Sequence, residues 1–140
     1  MSDTLHTASA VTGVEGYQTS VEIGSEPMFR QTSDASAADG GKDLGASPVA
    51  QLTGALASCK SITGRMYAER KGWPLESIRV DVRHVRKDVD GKPRDVFETT
   101  LTLKGDLDDD QRKRIEDIAG RCPVSRMIQG ETIVESSLGD

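Results

Sequence analysis

The sequence is poor in aromatic residues, cysteine and histidine, and it contains no long apolar run. Aromatic residues make up 4% of the 140-residue chain, so its core must be mostly aliphatic or be completed in part by another subunit. No segment approaches the roughly 18 apolar residues of a membrane span, and the N-terminus lacks a signal-peptide pattern. Two cysteines and two histidines without CxxC or HxxxH spacing argue against a zinc site. We therefore expect a cytoplasmic protein that binds no metal.

Positive charge is also in deficit. There are 18 Lys and Arg residues against 23 Asp and Glu residues, which gives a formal net charge of −5. Binding to nucleic acid needs a concentrated positive field, so this balance argues against a nucleic-acid-binding protein. The length predicts a single domain over residues 1–140. Within it we expect residues 1–7 to be mobile and residues 34–45 to form a glycine-rich loop.

The most informative stretch is residues 40–74, GGKDLGASPVAQLTGALASCKSITGRMYAERKGWP. Ser47 and Pro48 are typical of a helix start, and Gly72 and Pro74 are typical of its end. Apolar residues recur between them at three- and four-residue spacing: Val49, Leu52, Ala55, Leu56, Cys59, Ile62 and Met66. This stripe predicts a helix of about six or seven turns with the first cysteine on its buried face.

The remaining segments predict an α+β fold. In chain order they are strands at 8–14, 18–23 and 28–33, a hairpin that turns at 90–93, a helix after Asp108, a short helix at 123–129, and an edge strand at 131–138. Asp108 and Gln111 have the spacing of a capping box. The order βββ-α-ββ-α-β fits antiparallel sheets with helices segregated from them.

Cys59 and Cys122 fall on the apolar faces of two different helices. They are either two small core residues, the more common outcome in a cytosolic protein, or a redox pair. In a redox pair one thiolate becomes a sulfenic acid and condenses with the other thiol. A helix start or a nearby cation favours the thiolate, so local sequence favours Cys122, which precedes Pro123 and lies near Arg121 and Arg126.

These residues resemble the OsmC/Ohr family of osmotically inducible and organic-hydroperoxide-resistance proteins. The similarity runs from about residue 40 to residue 124 and is strongest in GGKDLGASP, in the cysteine-bearing helix with the strand pair after it, and in GRCPVS. It implies an OsmC-like fold, with antiparallel sheets around a long central helix, and an intertwined homodimer. It also implies a thiol peroxidase that reduces organic hydroperoxides, and hydrogen peroxide more weakly, without metal, haem, flavin or another bound cofactor.

The resemblance also assigns roles to the cysteines. It makes Cys59 the attacking thiol and Cys122 the resolving thiol, which reverses the order that the local sequence favours. A Cys59–Cys122 disulfide would then be reduced by an external dithiol, commonly a lipoylated protein in the family.

Two positions depart from the family pattern. Many members carry a glutamate soon after the helix-starting proline, where it orients an activating arginine, whereas this chain offers Gln51. Arg30 is the only arginine before the helix, so it is the candidate for the activating cation; alternatively, it is a solvated strand residue. The other hypotheses are a non-catalytic redox sensor or small-molecule binder on the same scaffold, and a structural dimer with inert cysteines.

Overall fold

Three strands form the first of two antiparallel sheets in the computed structural model, which describes residues 4–140. They are β1 (Ala8–Thr12), β2 (Thr19–Gly24) and β3 (Met28–Ser33), paired in that order. All three predicted strands are confirmed, although the first ends two residues earlier than residue 14. Residues 4–7 carry no regular secondary structure, and residues 1–3 of the predicted mobile tail lie outside the described residues.

The glycine-rich segment after β3 folds back on the end of that strand. Its centre is the buried carboxylate of Asp34, which accepts hydrogen bonds at 2.8–3.2 Å from the backbone N–H groups of Ala35, Lys42 and Leu44. A Cβ atom on Gly41 or Gly45 would collide with backbone atoms, so this close approach requires glycine. The segment also contains a short 3₁₀ helix, Ala37–Asp39. The loop is therefore held by a buried polar group.

The predicted central helix is α1 (Pro48–Lys71). At its start the Ser47 hydroxyl accepts a hydrogen bond from the N–H of Ala50 at 3.3 Å. At its end Gly72 has a φ of 70°, the left-handed conformation that commonly terminates a helix. The Arg65 guanidinium then donates to the carbonyl of Leu75 at 2.6 Å, which fixes the helix against the following strand.

The buried face of α1 differs from the predicted one. It consists of Leu56, Lys60, Gly64, Tyr67 and Ala68, whereas five members of the predicted stripe are exposed: Val49, Leu52, Ala55, Ile62 and Met66. Part of this face is formed by small residues, and a Cβ atom on Gly64 would lie only 2.6 Å from Cδ1 of Ile78. Small residues let the neighbouring elements approach this face, which a count of apolar residues does not reveal.

The second sheet is one long hairpin, β4 (Leu75–Val89) and β5 (Lys92–Gly105). The predicted turn is confirmed but is tighter than expected, because only Asp90 and Gly91 connect the strands. Their φ angles of 53° and 79° suit a two-residue turn of type I′.

Two helices complete the fold, α2 (Asp109–Ala119) and α3 (Pro123–Gln129). The predicted capping box is confirmed, with the Gln111 N–H donating to the Asp108 carboxylate at 2.8 Å. The predicted edge strand is wrong: residues 131–138 form no strand and are exposed. A strand needs a partner for its backbone groups, and this tail pairs with neither sheet of the described residues.

The chain divides into an N-terminal unit, which ends at Leu52, and a C-terminal unit, Thr53–Asp140. In the C-terminal unit Tyr67, Ala68, Leu75, Leu107 and Ile115 form one apolar cluster. This cluster packs α1 and α2 on the hairpin. It therefore fixes the two segments of chain that carry the cysteines.

Candidate functional site

Cys59 lies in the middle of α1 and is only partly buried. Its Sγ atom accepts a hydrogen bond from the backbone N–H of Val124, with the nitrogen 3.5 Å from the sulfur. Val124 is the second residue of α3. The sulfur of the first cysteine therefore faces the chain segment that contains the second.

Cys122 is the residue directly before α3 and has no exposed surface. Burial raises the pKa of its thiol, because a charged thiolate is poorly solvated there. The Ser125 backbone N–H and the Lys60 ammonium act in the opposite direction by stabilising negative charge on the sulfur. Contact with the Cys59 side chain raises the Cys122 pKa further, since a thiolate there would repel a second one.

The fold thus brings together two thiols that are far apart in the sequence. The Cys59 sulfur accepts from the N–H of Val124, two residues after Cys122, and both thiols are free. They differ in access: Cys59 is reachable from solvent and Cys122 is not. One reachable and one buried thiol in contact can form a disulfide after the reachable thiol is oxidised.

Lys60 is the site residue that the sequence analysis missed. Its side chain is only 7% exposed, and its positive charge acts on the Cys122 thiol. Arg121, which directly precedes Cys122 in sequence, is directed elsewhere and forms an ion pair with Asp117 at 3.0 Å. The spacing of Leu56, Lys60 and Gly64 is the signal that would have placed the lysine on the buried face.

A cavity of about 570 Å³ opens beside Lys60 in the C-terminal unit. Its lining is largely polar and charged, and it comes from α1, β5 and α2: Lys60, Thr99, Thr100, Leu101, Leu103, Asp109, Arg112, Lys113, Glu116 and Gly120. The Arg112 guanidinium is already occupied by backbone carbonyls, including that of Leu103 at 2.8 Å. Lys60 is therefore both a lining residue of this cavity and a cation that acts on the Cys122 thiol.

The other two candidate residues belong to the N-terminal unit. Arg30 lies on β3 and pairs with Glu22 across the sheet, with its Nε atom 3.4 Å from the carboxylate and its side chain 71% exposed. Gln51 lies in the first turn of α1, where its amide donates to the carbonyl of Ala46 at 2.7 Å and its oxygen accepts from the Gln31 amide. All these partners lie in the same unit.

Over residues 4–140, no three His, Cys, Asp or Glu side chains cluster in a way that could hold a metal ion. No helix in the same part of the chain combines the length and apolar character needed to cross a membrane.

Solved structures show that this fold is shared. An OsmC-like protein from Mycoplasma pneumoniae is similar with a TM-score of 0.72 at 22% identity, over 93% of this chain and 91% of that one. An organic hydroperoxide resistance protein from Elizabethkingia anophelis has a TM-score of 0.70 at 14% identity, over 93% and 91%. An OsmC-like protein of unknown function from Vibrio cholerae has a TM-score of 0.71 at 15% identity, over 92% and 96%.

At these identities the likeness establishes the fold, α+β with two antiparallel sheets and three helices, and nothing about activity. Comparison with functionally curated proteins gives no match. The family model for the OsmC-like protein matches residues 40–137, well over half of the chain and including both cysteines. The protein belongs to the OsmC-like family.

Proposed function

We propose that this protein is a cysteine-based peroxidase that reduces organic hydroperoxides, and hydrogen peroxide more weakly. The observation that carries the proposal is the contact between a reachable thiol, Cys59, and a fully buried one, Cys122. Similarity to proteins named for organic hydroperoxide resistance supports the substrate class.

The difference in burial supports Cys59 as the attacking thiol. A hydroperoxide can reach its sulfur from solvent, whereas Cys122 has no exposed surface and burial raises its pKa. The Cys59 thiolate attacks the distal oxygen of the hydroperoxide and becomes a sulfenic acid, and the released alkoxide takes a proton to become an alcohol. The Cys122 sulfur then displaces the hydroxyl group as water, which forms the disulfide.

An external dithiol, such as a lipoylated protein, completes the proposed cycle by reducing the disulfide through thiol–disulfide exchange. No bound cofactor is needed, since all redox equivalents pass through sulfur. Arg30 and Gln51 stay predictions within this proposal, as the activating cation and its hydrogen-bond partner. Their polar partners within the N-terminal unit would have to be exchanged for those roles.

We further propose a homodimer. Four large apolar side chains of α1 are 41–64% exposed in the isolated chain: Val49, Leu52, Ile62 and Met66. Such a stripe on a central helix is costly to leave in water and fits a surface covered by a second copy.

A thiol count by intact mass tests the chemistry. Reduced protein receives one equivalent of tert-butyl hydroperoxide or hydrogen peroxide and is then quenched and alkylated in denaturant, so that the buried Cys122 is also counted. We expect rapid loss of both alkylation sites and a mass lower by two hydrogens, faster with the organic peroxide. Turnover with an added dithiol separates an enzyme from a sensor, which would oxidise once and turn over poorly.

The matched variants are Cys59→Ser and Cys122→Ser. The first should show no rapid oxidation, whereas the second should still trap a sulfenic acid at Cys59 with a dimedone-type probe. Two thiols that stay alkylatable in the wild type after peroxide would refute the peroxidase and favour a binder or a structural dimer.

A further inference from the structure

Lys60 is the one buried cation of the C-terminal unit that the proposed chemistry leaves without a role. Its side chain is 7% exposed, and it forms no ion pair with any residue between 4 and 140. A buried lysine of this kind needs a negative or strongly dipolar neighbour to offset its lost hydration. We therefore asked which group supplies it.

The packing of α1 on α2 directs Lys60 toward the second cysteine. Gly64 lies one turn after Lys60 on the same face, and a Cβ atom there would be 3.4 Å from Ile115 and 4.0 Å from Ala119. The lysine lines a cavity together with Gly120, which follows Ala119 directly. The chain then reaches Cys122 within two residues, and Cys59, directly before Lys60, accepts a hydrogen bond from the N–H of Val124 at 3.5 Å. The turn of α1 that carries Lys60 therefore lies against the segment that carries the buried thiol.

We propose that Lys60 is a positioning residue for the disulfide steps, in which its ammonium stabilises the thiolate form of Cys122. This inference rests on the proposed function for its role, but the pairing of Lys60 with Cys122 can be measured without any peroxide.

The lysine assists both bond changes at Cys122. In disulfide formation, the Cys122 thiolate attacks the sulfur of the Cys59 sulfenic acid, the S–O bond breaks, and the departing hydroxide takes a proton to become water. In reduction, a thiolate of the external dithiol attacks the reachable Cys59 sulfur, and Cys122 leaves as a thiolate. The second thiol of the reductant then releases Cys59. A more stable Cys122 thiolate is both more abundant as attacker and a better leaving group.

The rival explanation is structural. A cation near the last turn of a helix interacts favourably with its carbonyl dipoles, and Lys60 lies beside the C-terminal end of α2. A lysine that only caps α2 would stabilise the fold without changing the titration of Cys122. The two roles therefore differ in a measurable property.

The other charged and polar groups near Cys122 must be held constant in the test. Cys59 from α1 raises the Cys122 pKa, and the Ser125 N–H from α3 lowers it. Charged groups around the lysine are those of α2 in the cavity: Asp109, Arg112, Lys113 and Glu116. Lys113 is the useful control, because it is exposed, lines the same cavity and lies outside the thiol contacts.

The experiment is an ultraviolet titration of thiolate absorbance in a Cys59→Ser background, where only Cys122 contributes. Lys60→Met should move the midpoint to higher pH, Lys60→Arg should restore it, and Lys113→Met should leave it in place. In the two-cysteine protein, with its disulfide preformed by diamide, Lys60→Met should slow opening by dithiothreitol roughly three- to tenfold. A Lys60→Met midpoint equal to that of Lys113→Met would overturn the proposal.

Folding of each variant is checked by circular dichroism. If Lys60→Met does not fold, the native lysine serves as its own probe, with carbon-13 at its ε position. In the Cys59→Ser protein, the chemical shift of this carbon should change over the pH range in which Cys122 ionises. A chemical shift that stays constant over that range would refute the pairing. Failure of wild-type protein to react with peroxide would instead remove the proposed function and leave this pairing decided by the titration.

Discussion

The two units of the chain bury different kinds of residue. In the C-terminal unit the buried set is mainly apolar and includes Ile115, Ala119 and Cys122, all with no exposed surface. In the described part of the N-terminal unit, residues 4–52, only Ser33 and Asp34 are buried, and both are polar. One unit is thus held by packing, and the other by backbone pairing and a buried carboxylate.

This difference explains where the candidate chemistry lies. A thiol shielded from water needs an apolar core around it, which only the C-terminal unit provides. The N-terminal unit holds Arg30 and Gln51 in polar, largely exposed pairings that can be exchanged at little cost. We therefore expect the largest losses of activity from changes at the thiols, intermediate losses of stability from changes in the core of the C-terminal unit, and the smallest losses from changes in the three-stranded sheet of the N-terminal unit.

Cys59→Ser should have the largest effect on activity. Serine keeps the size of the side chain but cannot form the sulfenic acid, so peroxide consumption in the presence of a dithiol should fall about a thousandfold or more. A coupled assay with tert-butyl hydroperoxide measures this loss.

Cys122→Ser is the companion variant, because it should stop turnover after one oxidation while leaving the first attack intact. Equal turnover in Cys59→Ser and wild-type protein would show that Cys59 is not the attacking thiol, and the chemistry could no longer be assigned to the C-terminal unit.

The core should respond to Gly64→Leu with the largest loss of stability. Leucine cannot be accommodated where even a Cβ atom would lie 2.6 Å from Ile78 and 3.4 Å from Ile115. The free energy of unfolding should drop by about 1–3 kcal/mol or more. Urea denaturation followed by circular dichroism measures it.

Gly54→Leu in the same helix is the matched control. A Cβ atom on Gly54 would meet nothing within 4 Å, so its stability should stay within about 1 kcal/mol of wild type or rise with helix propensity. Equal losses at both glycines would mean that α1 is not packed on the hairpin and α2 as described.

Much of the fold was predictable because its signals are local. The ends of α1 follow from Ser47, Pro48 and Gly72, and the capping box opens α2 at Asp108, as predicted. These groups interact with backbone only a few residues away, so sequence spacing is sufficient.

The burial pattern was not predictable in the same way, because it depends on which elements meet. The exposed stripe with Ile62 and Met66 was predicted to face the core, since apolar periodicity does not distinguish a core from a surface left open. The close packing of Gly64 against Ile78 and Ile115 of the same chain depends on these contacts between elements and not on apolar periodicity.

The family resemblance pairs Cys59 with Cys122, and the structure brings the two segments together, with the N–H of Val124 donating to the Cys59 sulfur. The roles of the two thiols stay predictions. Lys60 lies off the apolar stripe of the sequence, and its burial appears only once α1 is packed in the fold.

Asp34→Ala tests whether the N-terminal unit depends on its buried carboxylate. Three backbone N–H groups would lose a charged acceptor, so we expect a loss of about 2 kcal/mol and faster hydrogen exchange at Lys42 and Leu44. Asp39→Ala, an exposed position in the same loop, should cost less. Unchanged exchange in Asp34→Ala would show that the loop is held by contacts other than these hydrogen bonds.

Arg30→Met should have the smallest effect on stability and is the sharpest test of the three-stranded sheet of the N-terminal unit. The pair with Glu22 is largely exposed, so the free energy of unfolding should change by less than about 1 kcal/mol. The predicted activating role requires something different: slower oxidation of Cys59 by tert-butyl hydroperoxide, by roughly tenfold, measured by stopped-flow quenching and mass. Glu22→Gln is the control, because it breaks the same ion pair without removing the cation. Slow oxidation in Arg30→Met alone would show that a residue of the N-terminal sheet takes part in the oxidation of Cys59. The chemistry would then not be confined to the C-terminal unit. Equal rates in both variants and the wild type would confine the chemistry to the C-terminal unit and leave Arg30 as a solvated strand residue.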